Sequence, residues 1–375
     1  MSLLPSVENN TPMTQSWLSK LKNLIHAEFD HLTTLTPSDR TWQMPFTAAL
    51  AIGLPLMVGA YFNHLEYGLV SSLGGLVFLH LPNTPMHHRM VTIMACAFAL
   101  TSCYALGVIS HFSSALLVPV LTFISILITI LCRFYSLGSP GSLFFIMAAA
   151  IGAYTPLNPL QVPLMVGLVS MGALLACLLA FFYSLHALRR NPAKAAPALA
   201  TPTFDYVVFD SVIIGTFVGI SLLLAQSLHL EKAYWVPVSC LAVIQGVSVR
   251  AIWNKQLHRI AGTSIGLLVS WGLLLLITDK WMVCLTIMLL TFMIEMIVVR
   301  HYALAAVFIT PLTILLAEAA TMDHGLVAAL IQARFFDTVL GCLVGLAGGV
   351  CLHNRAFRNN VGSQMKRLIS YTIKR

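Results

Sequence analysis

Three ionisable residues lie inside long apolar stretches of this chain: Arg334, Asp337 and Glu295. A charge at mid-depth in hydrocarbon costs about 2.5–3.5 kcal/mol on insertion scales, so a residue of this kind faces a partner or a water-filled path. Arg334 and Asp337 are three positions apart and therefore share one face of a helix. A guanidinium fork can hold a carboxylate through two parallel bonds, and an aspartate one turn away would compete for it. A proton on Asp337 would then free Arg334 for a bound anion, which couples proton movement to anion movement. A static intrahelical pair that only joins two helices fits the same spacing. Glu295 is a second candidate proton carrier, with pairing toward Arg300 as its structural alternative.

Other chemistries leave no trace. There is no Gly-rich phosphate loop following a strand, no Gly-x-Ser-x-Gly elbow and no His-Glu-x-x-His. The eight cysteines sit in apolar stretches without a Cys-x-x-Cys pair and read as small buried hydrophobes. No disulfide, metal site or cofactor is expected.

The elements that must position Arg334 and Asp337 follow from composition. With 58% hydrophobic residues, 9% charged residues and a mean hydropathy of +0.86, the apolar surface exceeds what one water-soluble core can hide. Twelve apolar segments stand near 44–62, 67–81, 91–110, 114–132, 141–155, 161–186, 205–228, 234–249, 260–277, 281–299, 302–317 and 327–352. In lipid only closed hydrogen-bonding structures survive, and the lengths suit helices. The expected fold is an all-α polytopic membrane protein of about twelve transmembrane helices.

Landmarks recur. Tyr67 and Tyr234, His88-Arg89 and His258-Arg259, and Arg133-Phe134-Tyr135 and Arg300-His301-Tyr302 follow one another at offsets of 167, 170 and 167 residues. Six segments per copy is an even number, so the copies enter the membrane in the same direction, as two parallel six-helix repeats forming a pseudo-dimer. The expected divisions are a cytoplasmic amphipathic segment at 1–41, a first repeat at 42–186, a Pro- and Ala-rich cytoplasmic linker at 187–203, a second repeat at 204–352 and a basic cytoplasmic tail at 353–375. The seam is expected to bring 67–81 near 234–249 and 141–155 near 302–317 around a shared axis.

A net charge of +8 would suit a nucleic-acid partner if it were clustered on one soluble face. It is instead distributed as the positive-inside rule requires. With a cytoplasmic N-terminus, 18 of the 21 Lys and Arg fall inside, Lys232 and Lys280 fall outside, and Arg334 lies within the membrane. Both termini are thus expected in the cytoplasm and no nucleic acid is expected as a partner.

The segments 67–81, 141–155, 234–249 and 302–317 are short and broken by Gly74-Gly75, Pro82, Pro140, Pro156, Pro237 and Pro311. Short interrupted spans at matching places in two repeats point to a binding site, since their backbone ends must face protein or water. Ser139 and Ser142 bracket a helix start that could cradle an anion. Together with Gln245 and Thr310 on the other short spans, and with Arg334, they are the candidate substrate contacts. Arg89, Arg133, Arg259 and Arg300 form a candidate cytoplasmic mouth, although topology alone explains four inside arginines equally well.

Tyr234-Trp235-Val236-Pro237, then Leu241-Ala242-Val243 with Gln245, then Arg259-Ile260-Ala261-Gly262-Thr263 with Gly266, resembles the fusaric acid resistance (FUSC) family of bacterial inner-membrane proteins. Arg334, Asp337, Thr338 and Gly341 fit that family's closing helix. The resemblance covers about 205–352 and is degenerate in the first copy, where His88-Arg89-Met90-Val91-Thr92 lacks the Gly-Thr pair. It implies an inner-membrane exporter of aromatic or amphipathic carboxylates, and it is similar, more distantly, to plant aluminium-activated malate transporters. Larger family members carry a cytosolic domain for which this chain has no counterpart. The implied partners are membrane lipids and a small organic anion, with a homo-oligomer or a periplasmic adaptor protein left open. A different class stays open beside this one: a membrane-embedded enzyme or lipid-handling protein acting on a lipid-linked substrate at the same Arg/Asp pair.

The topology has a direct check. Single cysteines at His64, Asp279 and Asp323 in a cysteine-free background are expected to react with a membrane-impermeant thiol reagent from outside, and cysteines at Arg189 and Lys366 are not. Outside labelling at Arg189 would overturn the twelve-segment count.

Overall fold

The computed structural model describes residues 41–190, 205–246, 248–318 and 327–361, with Ala195 and Thr203. The expected amphipathic segment at 1–41, nearly all of the linker, Asp323 and the end of the tail lie outside the described residues. Among the described residues there is no strand, and twelve α-helices follow in order. They are α1 Gln43–Tyr61, α2 Leu65–Gly75, α3 Met86–His111, α4 Ser114–Phe134, α5 Leu143–Tyr154, α6 Val162–Arg190, α7 Asp210–Ser227, α8 Trp235–Ile244, α9 Val249–Leu276, α10 Lys280–Ile297, α11 Tyr302–Glu318 and α12 Val327–His353. Helix α2 runs on as a 3₁₀ turn to His80, and a π turn at 205–209 leads into α7.

Eight of these segments are long and apolar enough to cross a membrane. The four short ones are Leu65–His80, Leu143–Tyr154, Trp235–Ile244 and Tyr302–Ala317, at the places where the glycines and prolines interrupt the sequence. Boundaries differ most at α9, which begins at Val249 and not near 260. The residues in between, including Arg250, Lys255, Gln256 and Arg259, are polar but still helical, because Ser248 caps the start by accepting from the Ala251 amide at 3.1 Å.

Helix pairings organise the core. In the first half α2 packs on α6, α3 on α5 and α6, and α1 on α2 and α6; in the second half α8 packs on α12, α9 on α11 and α12, and α7 on α8 and α12. Between the halves, α4 lies against α7 and α10 against α1, with a smaller contact of α5 on α8. The principal seam is therefore formed by the longer helices α4, α7, α10 and α1. The pairs α2–α8 and α5–α11, expected from the shared-axis argument, do not form it.

Close approach of α12 to α8 depends on Gly341. A side chain there would run into the Val236 carbonyl oxygen and the Ser239 Cβ. In the first half Gly172 on α6 is pressed in the same way against the Ser71 carbonyl of α2. Small residues at such crossings let backbones touch where lipid supplies no hydrophobic drive for association.

One electrostatic clamp ties the ends of three helices together. Asp210, at the start of α7, accepts from Arg133 at the end of α4 and from Arg358 just beyond α12, each at 2.8 Å. Arg133 also donates to the Tyr206 carbonyl at 2.7 Å and stacks on the Tyr206 ring, 4.6 Å from its centroid. Arg358 donates to the Leu352 carbonyl at 3.0 Å.

Gly341→Val is expected to destabilise the folded protein by about 1–3 kcal/mol through overpacking. Gly272→Val, at a position with no atom near the added carbon, should be neutral. Thermal unfolding of detergent-solubilised protein followed by size-exclusion chromatography makes the comparison.

Candidate functional site

Helix α8 is ten residues long and every one of them is buried. At about 1.5 Å per residue it covers roughly 15 Å, half of a hydrocarbon core. Polar groups from neighbouring helices converge on its two ends and on one of its faces.

At its start, the guanidinium of Arg334 lies flat over the Trp235 ring, 3.5 Å from the centroid. Stacking on indole satisfies the face of the cation while leaving its in-plane donors for hydrogen bonds. One of them, Nη2, donates to Thr313 Oγ1 of α11 at 3.1 Å. Arg334 is 3% exposed, and with Lys232, Trp235, Ile314 and Leu330 it lines a small cleft. Helical side chains lean toward the N-terminus of their own helix, which carries Arg334 toward the start of α12 and away from Asp337.

The two residues consequently do not form an ion pair. Asp337 is 1% exposed and neither carboxylate oxygen has a hydrogen-bond partner, although the charge of Arg334 is close enough to act on it. Both residues belong to the side of α12 that Gly341 and Gly345 bring against α8. An unbonded carboxylate is an unusual thing to bury, because desolvation there is offset by nothing but a distant charge or a bound proton.

At the opposite end of α8, Gln245 Nε2 donates to Ser142 Oγ at 2.8 Å. Ser142 is 3.3 Å from Thr129 Oγ1, and Thr129 gives its own proton to the Ser125 carbonyl at 2.6 Å. The chain of bonds therefore runs from Gln245 through the Ser142 hydroxyl to Thr129 and ends on α4 backbone. His80 completes this cluster, with Nε2 3.1 Å from the Gly141 carbonyl and its ring against Phe145. Gly141 sits at φ +62°, a conformation that favours glycine.

The remaining candidates are scattered. Ser139 is exposed in the loop before α5. Thr310 is buried with its hydroxyl turned back to the Ala306 carbonyl at 2.9 Å, packed against Gly266. Glu295 is buried on α10. Arg300 is exposed at the turn before α11, and Arg133 is engaged by Asp210. Arg89 is buried at the start of α3, donating to the Thr84 carbonyl and to Asn83 Oδ1 at 2.6 Å each. Arg259 is buried ten residues into α9, with Ser239 Oγ and Tyr302 Oη both 3.3 Å away. The structure thus gathers Arg334, Asp337, Arg259 and Gln245 along α8, while Thr310 packs on α9, Glu295 lies on α10 and Arg300 precedes α11.

Residues 220–348, which include all of α8 and its arginine partners, match the family described as fusaric acid resistance protein-like. The match takes in about a third of the chain and lies within its second half. Among curated relatives, the chain is similar to the uncharacterized membrane protein YvaC of Bacillus subtilis, 31% identical over 132 residues, or 35% of this chain and 21% of that one. It is also similar to the uncharacterized protein YhfK of Escherichia coli, 27% identical over 140 residues, 37% of this chain and 19% of that one. The chain spans about a fifth of the length of the curated relatives that it matches. No solved structure matches it.

Sequence reasoning missed Trp235 as a partner of Arg334, and missed Ser239, Tyr302 and Thr313. A usable signal was present: Trp235 and Ser239 are four apart on one of the interrupted spans, hence on one face. Asp210 and Arg358 were missed as well; an acid at the head of an apolar run was their only mark.

Stability separates the two aspartates. Asp337→Asn removes no hydrogen bond and is expected to leave the thermal midpoint unchanged or raised. Asp210→Asn breaks two partly exposed ion pairs and should cost about 2 kcal/mol. A large loss in Asp337→Asn would show that the carboxylate holds the bundle together.

Proposed function

We propose that the chain is a transporter that exports organic anions, of the aromatic or amphipathic carboxylate class, across the bacterial inner membrane. In this reading all twelve segments traverse the bilayer as two parallel six-helix repeats with cytoplasmic termini. The pairings of α1 to α6, repeated in α7 to α12, support the duplication, as does the exchange of α4 on α7 for α10 on α1. The family match supports transport as the activity, in preference to covalent chemistry.

The observation that carries the substrate class is the Arg334 guanidinium stacked on Trp235 within a membrane-embedded bundle. A permanent cation held in place by an aromatic face offsets a carboxylate's lost hydration, and the same indole offers apolar surface to an aromatic substituent. Lys232 beside the cleft adds positive potential at its rim. Inward of this point lies Asp337, whose negative charge opposes an arriving anion. Protonation of Asp337 cancels that opposition and lets the carboxylate settle on Arg334; loss of the proton restores it and drives release. The path continues along α8 toward the Gln245–Ser142 cluster at the junction with α5, where the two repeats meet. Arg300, exposed before α11, gives the cytoplasmic side a positive potential that draws anions in, and Glu295 serves as a second proton-binding group.

Proteoliposomes loaded with labelled benzoate and given an imposed pH gradient test this reading. The wild-type chain is expected to release the label faster with the gradient than without it. Arg334→Lys should slow release about tenfold by losing the planar fork, and Asp337→Asn should keep anion binding while abolishing the gradient's effect. Wild-type rates in folded Arg334→Ala protein would overturn the role of Arg334, and conversion of the label to a covalent product would point to an enzyme.

A further inference from the structure

One turn inward from Trp235 on the same face of α8 stands Ser239, and it meets a second buried guanidinium. We infer that Arg259, with the hydroxyls of Ser239 and Tyr302, forms a second anion-binding station that takes a small carboxylate and lies about 6 Å further along α8. Its use as a step in transport rests on the export reading above; its ability to bind an anion does not.

Arg259 is 7% exposed, and its only hydrogen bonds are two long ones, 3.3 Å each, to neutral hydroxyls. The Nε–H has no acceptor, and among the described residues no carboxylate pairs with this side chain. A guanidinium carries five donors and is costly to take out of water unless an anion or several carbonyls receive them. The edge formed by Nε and its neighbouring Nη is the one that holds a carboxylate through two bonds. Ser239 and Tyr302 each accept from Arg259 and retain a hydroxyl proton of their own, so both can donate to an anion seated at that edge. Lys255, with Nζ 5.5 Å from the Tyr302 ring centroid, adds a second positive charge on the same side.

The first half of the chain supplies an internal control. Arg89 occupies the matching His-Arg landmark, but it lies at the fourth residue of α3, where the preceding loop is within reach. Its Nε donates to the Thr84 carbonyl and its Nη2 to Asn83, both at 2.6 Å, and Nη1 is 3.5 Å from Ser184. That guanidinium is consumed in folding the loop. Arg259 is a further turn and more inside its helix, has no loop carbonyl to receive it, and keeps its Nε edge for a ligand.

The arrangement makes α8 a two-step ladder. An anion leaving Arg259 would find Arg334 on the same helix face, with the Asp337 side of α12 packed alongside. Two sites of like charge at this spacing let an anion pass from one to the other without crossing bare hydrocarbon.

Equilibrium binding of labelled benzoate to the full-length chain in detergent tests the station separately from transport. The wild type is expected to take two benzoates per chain, Arg259→Gln and Arg334→Gln one each, and the double variant none. Arg89→Gln should still take two, with a lower thermal midpoint. If Arg259→Gln fails to fold, the combination of Ser239→Ala and Tyr302→Phe decides, since it keeps the charge and should weaken the inner site about tenfold. A single benzoate on the wild type, two on folded Arg259→Gln, or unchanged affinity in the hydroxyl-deletion variant would overturn the station. Two benzoates bound with no release from proteoliposomes would leave the station standing and remove the export reading; release unchanged in an Arg259→Gln protein that still binds two would do the reverse.

Discussion

Hydrocarbon offers a buried charge no water, so every cation or carboxylate kept in the membrane must be met by the protein itself. In this chain that requirement converges on α8. An indole meets Arg334, hydroxyls meet Arg259, and a hydroxyl relay meets Gln245. The helix can serve three partners because it is short and wholly buried, with α7, α9, α12 and α5 all touching it. The glycine crossings follow from the same requirement: α12 carries Arg334 and Asp337, and they reach α8 only because Gly341 and Gly345 let the two backbones come together.

Electrostatic balance around α8 is uneven. Arg334 and Arg259 are permanently charged, whereas Asp337 can lose its charge by taking a proton. A bound carboxylate and a protonated Asp337 leave the same net charge in the bundle as an ionised Asp337 with no ligand. In the proposed export reading, exchange between these two states would move one proton and one anion without changing the buried charge, which is the condition under which a low-dielectric interior resists it least.

Much of this was legible in the residue pattern. Twelve apolar runs, four of them short and broken by Gly or Pro, became twelve helices with the same four short, because length and interruption act locally through backbone geometry. Arg334, Asp337 and Gln245 stood out as candidates too, since a polar residue inside an apolar run announces itself. Partners were not. Spacing put Arg334 beside Asp337, yet the side chain leans outward to Trp235, a residue 99 positions away that helix periodicity cannot reach. Arg259 was read as a mouth residue because the polar start of α9 looked like loop; its depth became clear only when Ser248 was seen to cap a helix running through it.

The Asp210 clamp bears on how the chain is made. Arg133 precedes Asp210 by 77 positions and Arg358 follows it by 148. As the chain emerges N-terminus first, Asp210 can find Arg133 as soon as α7 has begun to form. Its second oxygen stays without that partner until α12 and the segment that follows it have been made. A nascent or truncated chain ending before Arg358 therefore carries a half-filled carboxylate at the junction of its two halves. The filling of that single side chain thus distinguishes a bundle with α12 in place from one without it.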